Sequence, residues 1–289
     1  MIVNKIGGSL ASGPSVFDSD DDPDLVGDAL PFALKTIEAL IVQSPQNPDL
    51  LLAAASGFTE YSYVYVAQKA ERLAGENLEE SNALRTRARR LAMRAHAYGM
   101  RGLESRYKGF GAELASDPDA ALARVKKREV PLLYWTAAAQ GLVISSSKDD
   151  PEMIAQLPLV EAMARRAMTL DDTWNEGTLP EFMITIEAAR SGLKPDDRQK
   201  QIDEYYQRAL QLSGGHRASL FVSYAENSSV PTQNRAKFQE MLERALAIDA
   251  DQHTETRLAT LIAQRRARWL LGRADELFLE GAAPGGKVN

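Results

Sequence analysis

Histidine and cysteine, the residues that most often carry acid–base, nucleophilic or metal chemistry, are rare in this 289-residue sequence. There are three histidines, His96, His216 and His253, and no cysteine. None of the histidines has a second histidine at the helical spacing of a zinc site, so we interpret each as a surface or cap residue. The lack of cysteine excludes disulfides, thiolate metal sites and a cysteine nucleophile.

An acidic run at residues 18–22 resembles the start of a calcium-binding loop. Counted from Asp18, the sixth position is Pro23, where the loop needs glycine, and the twelfth is Ala29, where it needs a bidentate glutamate. We therefore interpret the run as negative charge at a helix N-terminus.

Glycines and serines do not form a phosphate loop or a nucleophile elbow. Gly109 and Gly111 lack the third glycine of a dinucleotide fingerprint, and no serine lies in a strand–turn–helix motif. We predict no enzyme activity, no cofactor and no metal. An enzyme with an unrecognised site is the alternative, and carboxylates clustered around His96 or His253 would favour it.

Large aromatic residues are the best candidates for binding. In a helical protein such side chains are typical of the core, but they can also line an apolar ligand cavity, in which a few polar groups set orientation. The candidate ligand-binding residues are Tyr134, Trp135, Gln140, Trp174 and Phe182.

The elements that position these residues are predicted to be helices, because long segments rich in Ala, Leu, Glu and Arg follow the helical period. An Asp or Asn followed by Pro indicates helix starts near residues 23, 48, 118 and 151. Tyr61, Tyr63 and Tyr65 alternate as in a strand, but an isolated strand would have no partner, so we predict helix there too.

A repeated motif predicts the architecture. Arg-Ala followed by Met or Leu occurs at residues 166–168, 208–210 and 244–246, each time near the end of an amphipathic helix. The motif resembles the second helix of a tetratricopeptide unit, so we predict an all-α solenoid of tetratricopeptide-like hairpins. An ordinary helical bundle is the alternative. We expect one domain, with an N-terminal extension at 1–21, a repeat body at 22–280 and a flexible tail at 281–289.

Composition indicates a folded, soluble protein rather than a nucleic-acid binder. The net charge is −6, 44% of the residues are hydrophobic, and the longest apolar segments are too short to span a membrane. We interpret two basic clusters as solvated faces of mixed charge rather than nucleic-acid sites. They comprise Arg85, Arg87, Arg89, Arg90 and Arg94, and then Arg265, Arg266 and Arg268.

Four segments, including LASGPSVFDSDDDPDLVGDALPFALK at residues 10–35 and IAQRRARWLLGRADELFL at 262–279, resemble the T component of TRAP transporters. The others are residues 132–157 and 208–215, and the blocks at 16–31 and 264–279 are the most distinctive. The resemblance implies a periplasmic lipoprotein that binds the solute-binding P component. It also implies an apolar cavity or pore for a hydrophobic small molecule, and a homo-oligomer such as a trimer.

Family members typically begin with a signal peptide that ends at a lipid-modified cysteine. The sequence contains neither, and we expect it to begin just after that cysteine; the alternative is that this member is not anchored. The alternative function is that of a generic tetratricopeptide-like adaptor, which would bind a peptide or protein in a concave groove.

Overall fold

The computed structural model describes residues 16–147 and 149–279, and within these ranges the regular elements are helical, with no β-strand. The all-α prediction is confirmed. The predicted tail at 281–289 and most of the predicted extension lie outside the described residues. The described residues divide into two compact units, one within residues 24–171 and the other formed by residues 16–23 and 172–279. The single domain stays a prediction.

The first unit contains nine α-helices among its described residues. They are α1 (Pro23–Gln43), α2 (Pro48–Tyr61), α3 (Gln68–Leu73), α4 (Leu78–Arg106), α5 (Phe110–Ser116), α6 (Pro118–Arg124), α7 (Val130–Ser145), α8 (Pro151–Ile154) and α9 (Leu157–Asp171). A π-helical segment, Ser62–Ala67, joins α2 to α3. The Tyr61–Tyr65 segment is therefore helical, as predicted, but it is wound more loosely than an α-helix.

The second unit contains six α-helices among its described residues. They are α10 (Thr178–Ala189), α11 (Pro195–Ser213), α12 (Ala218–Tyr224), α13 (Arg235–Leu246), α14 (Arg257–Leu271) and α15 (Ala274–Leu277). A second π-helical segment, Ala225–Ser229, follows α12. Residues 16–23, although they precede the first unit in the sequence, belong to the second unit. The Leu258 amide donates a hydrogen bond to the Asp18 carbonyl at 3.0 Å.

Helix starts at 23, 48, 118 and 151 are confirmed. The side chain of Asn47 accepts from the amides of Asp49 and Leu50, and Asp117 and Asp150 cap their helices in the same way. Proline at the next position has no amide to leave unpaired, so this pair begins a helix without loss of a hydrogen bond.

The repeated Arg-Ala motif lies where close packing occurs. Ala167, Ala209 and Ala245 are all fully buried near the C-terminal ends of α9, α11 and α13. Their small side chains allow neighbouring backbone to approach, and Gly177 does so at Ala209. The stacking of these helices as a tetratricopeptide-like solenoid stays a prediction.

A row of small residues follows one side of α4, the longest helix of the first unit. Its members, Ala88, Ala92, Ala95, Gly99 and Gly102, are all buried. A Cβ atom at Gly99 would lie 2.2 Å from Oγ1 of Thr136, and one at Gly102 would lie 2.8 Å from Cδ1 of Leu132. The absence of a side chain at these positions therefore lets α7 lie directly against α4.

We predict that Gly177→Ala destabilises the protein more than Gly192→Ala. Both glycines have positive φ, 95° and 81°, so each substitution carries a similar backbone cost of about 1–2 kcal/mol. A Cβ at Gly177 would also lie 3.1 Å from the Ala209 backbone, whereas nothing lies within 4 Å at Gly192. The added contact should cost a further ~1–3 kcal/mol, measured by urea unfolding. If both variants lose the same free energy of unfolding, Gly177 does not pack tightly against the Ala209 backbone.

Candidate functional site

Helix α7 (Val130–Ser145) is apolar around almost its whole circumference and forms the centre of the first unit. It packs against α4, α2 and α9. Leu133, Ala137 and Ala139 on its inner side are fully buried. A helix of this kind is expected in the interior of a protein, so any of its surface that stays accessible is unusual.

One side of α7 is nevertheless partly exposed, and we call it the apolar face. It consists of Pro131, Tyr134, Trp135, Ala138, Gly141 and Leu142. These positions recur at helical spacing and so lie along one side of the helix. The Tyr134 and Trp135 rings meet edge to face, with centroids 4.9 Å apart. The apolar face can bind hydrophobic groups by removing them from water.

Gln140 lies on the opposite, buried side of α7 and is only 5% exposed. Its Nε2 donates to Oε1 of Gln156, which follows the short helix α8 and is partly exposed. The prediction placed Gln140 with the aromatic residues on the basis of its distance along the chain. Helical geometry turns it away from them, because five residues correspond to about 1.4 turns.

Trp174 and Phe182 lie in the second unit, and both are partly exposed. Trp174 begins a turn in which Asn175 and Glu176 have left-handed φ values of 47° and 53°. Two adjacent non-glycine residues in this region are strained, and neighbouring contacts must hold them. Nη1 of Arg217 donates to the Asn175 carbonyl at 3.2 Å. The five candidate residues are thus divided between two units.

Two histidines that are distant in sequence are neighbours in the second unit. The His216 and His253 rings stack with centroids 4.1 Å apart. Nε2 of His216 lies 2.9 Å from Glu176, and Nδ1 of His253 lies 3.5 Å from Glu255. Both carboxylates are about half exposed, and no set of three metal-ligating side chains occurs in the described part of the chain.

A shallow, open groove of about 630 Å³ lies along α11 (Pro195–Ser213), and no motif in the sequence indicated it. It is lined by Asp196, Gln199, Lys200, Asp203, Glu204 and Gln207. The hydroxyl of Tyr224 donates to Oδ1 of Asp203 at 2.7 Å, and Nε2 of Gln199 donates to Oγ of Ser228 at 2.8 Å. Burial, together with the nearby Asp203 carboxylate, raises the pKa of Tyr224 to about 12.

The interpretation of the second basic cluster as a solvated face is wrong for Arg266. This side chain is 7% exposed, forms an ion pair with Glu226 and stacks on the Trp269 ring at 4.5 Å. A buried guanidinium requires such a partner, and Glu226 is forty residues away in the sequence, so local charge pattern could not reveal it.

Comparison with known proteins identifies a family. The sequence model of a family described as TRAP transporter T-component matches residues 19–278. A protein of Treponema pallidum (strain Nichols), described as an uncharacterized protein, is 29% identical over 269 residues, which cover 92% of this chain and 83% of that protein. In the described residues, no helix is both long enough and apolar enough to cross a membrane.

We predict that Gln156→Leu destabilises the protein more than Gln140→Leu. Removing Gln156 leaves the buried amide of Gln140 without its acceptor, which should cost about 1–3 kcal/mol. Removing Gln140 leaves only Gln156, which water can reach. Urea unfolding of both single variants and of the double variant measures the difference. A double variant no more stable than Gln156→Leu alone would contradict the assigned bond.

Proposed function

The chain belongs to the TRAP transporter T-component family, and from this premise we propose that it holds the solute-binding P component of a TRAP transporter and binds a hydrophobic small molecule. Membership indicates the broader role, an accessory component of transport. The observation that supports the proposal most is the extent of the match, because residues 19–278 include the helices of both units.

The apolar face of α7 supports the part of the proposal that concerns a hydrophobic ligand. Tyr134 and Trp135 lie on the outer side of a helix that is otherwise buried, so a ligand placed there would cover apolar surface already aligned by the core. Each aromatic side chain removes roughly 150–250 Å² of surface from water when it is fully buried. We propose Trp174 and Phe182 as ligand contacts of the second unit, and Gln140 as a residue that acts through Gln156.

The proposed setting is the periplasm, with a lipid anchor on the native protein and a homo-oligomeric assembly. The family is associated with periplasmic transport. This setting suits a protein that holds a P component beside the membrane. The energy of transport would come from the membrane component, since we propose no catalytic role for this chain.

A second candidate function is that of a tetratricopeptide-like adaptor. The open groove along α11 favours it, since a peptide could bind to the amides and carboxylates of Gln199, Asp203 and Gln207. The main surface of the first candidate is the apolar face of α7, whereas that of the second is the groove along α11, so variants of Trp135 and of Gln199 can separate them.

We predict that Trp135→Ala weakens binding of 1-anilinonaphthalene-8-sulfonate, an apolar fluorescent probe, by about tenfold or more, a change of about 1.4 kcal/mol. The control is Trp269→Ala, which removes another partly exposed tryptophan, one held between Arg266 and Arg273. The control should keep wild-type probe affinity. Titration by fluorescence and thermal unfolding should be run on the same samples.

Two outcomes would count against the ligand proposal. If Trp135→Ala loses stability in proportion to binding, Trp135 is a core residue and the ligand proposal fails. Capture of the purified P component should be measured in parallel for wild type and for each variant, and wild type should capture it. If Gln199→Ala with Gln207→Ala abolishes that capture while Trp135→Ala has no effect on either assay, the adaptor function is favoured.

A further inference from the structure

Four arginines lie along one side of α4 (Leu78–Arg106). Arg87, Arg90, Arg94 and Arg101 are separated by three, four and seven residues, so they lie within a sector of about 60° on the helix. All four are exposed, and the set extends for about 21 Å. We call this set the arginine stripe. It lies opposite the row of small residues by which α4 packs into the core.

Aromatic rings support three of these guanidinium groups. The pairs are Arg87 over Tyr61 at 5.7 Å, Arg94 over Phe58 at 5.3 Å and Arg101 over Tyr98 at 5.4 Å. The rings come from α2 and α4 themselves and are fixed by the core. Each contact restricts a side chain that would otherwise move freely.

Hydrogen bonds fix two of the arginines further. Nη2 of Arg87 donates to the Tyr61 hydroxyl at 3.2 Å, and Nη2 of Arg101 donates to the Pro45 carbonyl at 3.0 Å. A guanidinium held in this way loses less conformational entropy when it binds a partner. Its remaining N–H groups stay available, because an arginine has five donors.

The stripe also carries charge that the described residues neutralise only in part. Arg94 lies 3.5 Å from Glu38, which also accepts from Lys35 and from the Tyr98 hydroxyl. Burial alone would raise the pKa of Glu38, but the hydrogen bonds from Lys35 and Tyr98 and the charge of Arg94 outweigh it and lower the pKa.

The other three members, Arg87, Arg90 and Arg101, form no ion pair with any residue at 16–147 or 149–279. The chain as a whole has a net charge of −6, so this face is opposite in sign to the rest of the molecule. Such a local excess favours a negatively charged partner at this face.

We propose that the arginine stripe is a docking surface for an acidic protein partner, which presents carboxylates about 10 Å apart along a helix. Arg87, Arg94 and Arg101 are each seven residues apart, a rise of about 10.5 Å. Glutamates at every seventh position of a helix have the same spacing. Each arginine can then bind its carboxylate through two parallel hydrogen bonds.

A protein partner fits this surface better than an anionic membrane. A helix that lies on a lipid surface needs a continuous apolar side to insert. The large apolar side chains that α4 exposes are Leu78 and Met93, fifteen residues apart, whereas its Ala88, Ala92 and Ala95 are buried. Arginine and aromatic residues together are also typical of protein interfaces. The identification of the partner with the P component rests on the proposed function, whereas the requirement for carboxylates comes from the stripe alone.

The test is binding of a helical peptide with glutamate at every seventh position, compared with the same peptide carrying glutamine there. The stripe variant is Arg87→Gln with Arg94→Gln and Arg101→Gln. The control, Arg85→Gln with Arg89→Gln and Arg268→Gln, removes the same charge outside the stripe. Fluorescence anisotropy should show that the stripe variant binds the glutamate peptide at least tenfold more weakly than wild type and that the control changes affinity less than twofold.

The single variant Arg90→Gln keeps the test valid if the triple variant unfolds, because Arg90 has no aromatic or hydrogen-bond partner among the described residues. It should weaken binding about threefold. Equal effects of stripe and control variants, or equal affinity for the glutamine peptide, would overturn the proposal. So would stripe-dependent binding to phosphatidylglycerol vesicles without peptide binding, since that outcome assigns the stripe to lipid.

Capture of the purified P component separates this proposal from the proposed function. If the glutamate peptide binds through the stripe but the P component is not captured, the stripe stands and the proposed function fails. If the P component is captured equally by wild type and the stripe variant while the peptide does not bind, the stripe proposal fails and the proposed function stands.

Discussion

The close approach of α4 and α7 is the constraint on which the surfaces of the first unit depend. Gly99 and Gly102 leave room for Thr136 and Leu132, so the two helices meet with little between them. Because one side of α7 is fixed against α4, the side that remains partly exposed is the apolar face. Because the inner side of α4 is occupied by small residues, its longer charged side chains are confined to the outer side. One packing contact thus sets the direction of both proposed binding surfaces.

Sequence reasoning predicted the elements well because their signals are local. The Asx-Pro pairs cap helices with their own side chains, as at Asn47, and the buried alanines of the repeated motif mark helix ends. The π-helical segments were not predicted, because their wider turns depend on tertiary contacts such as the hydrogen bond from Ser62 Oγ to the Ala88 carbonyl at 2.7 Å. Because the partner is 26 residues away, the local sequence pattern does not reveal this contact.

The candidate site was predicted less well, because residue type says little about direction. Trp135 lies on an accessible apolar side of its helix, but Gln140 faces the core and pairs with Gln156. The arginine stripe could not be recognised in the sequence, because other arginines lie between its members. Arg85 and Arg89 lie on another side of α4, and Arg101 lies outside the local cluster, so the set was interpreted as charge spread around the helix. Knowledge of the buried side of α4 is what separates these groups.

Taken together, the two proposals place the transport partner on the first unit of the chain, at α4. Hydrogen–deuterium exchange of the full chain, measured with and without the purified P component, tests it most directly. We expect slower exchange in α4 (Leu78–Arg106) when the P component is present, with α13 (Arg235–Leu246) unchanged. Unchanged exchange throughout, or protection confined to the α11 groove, would contradict it.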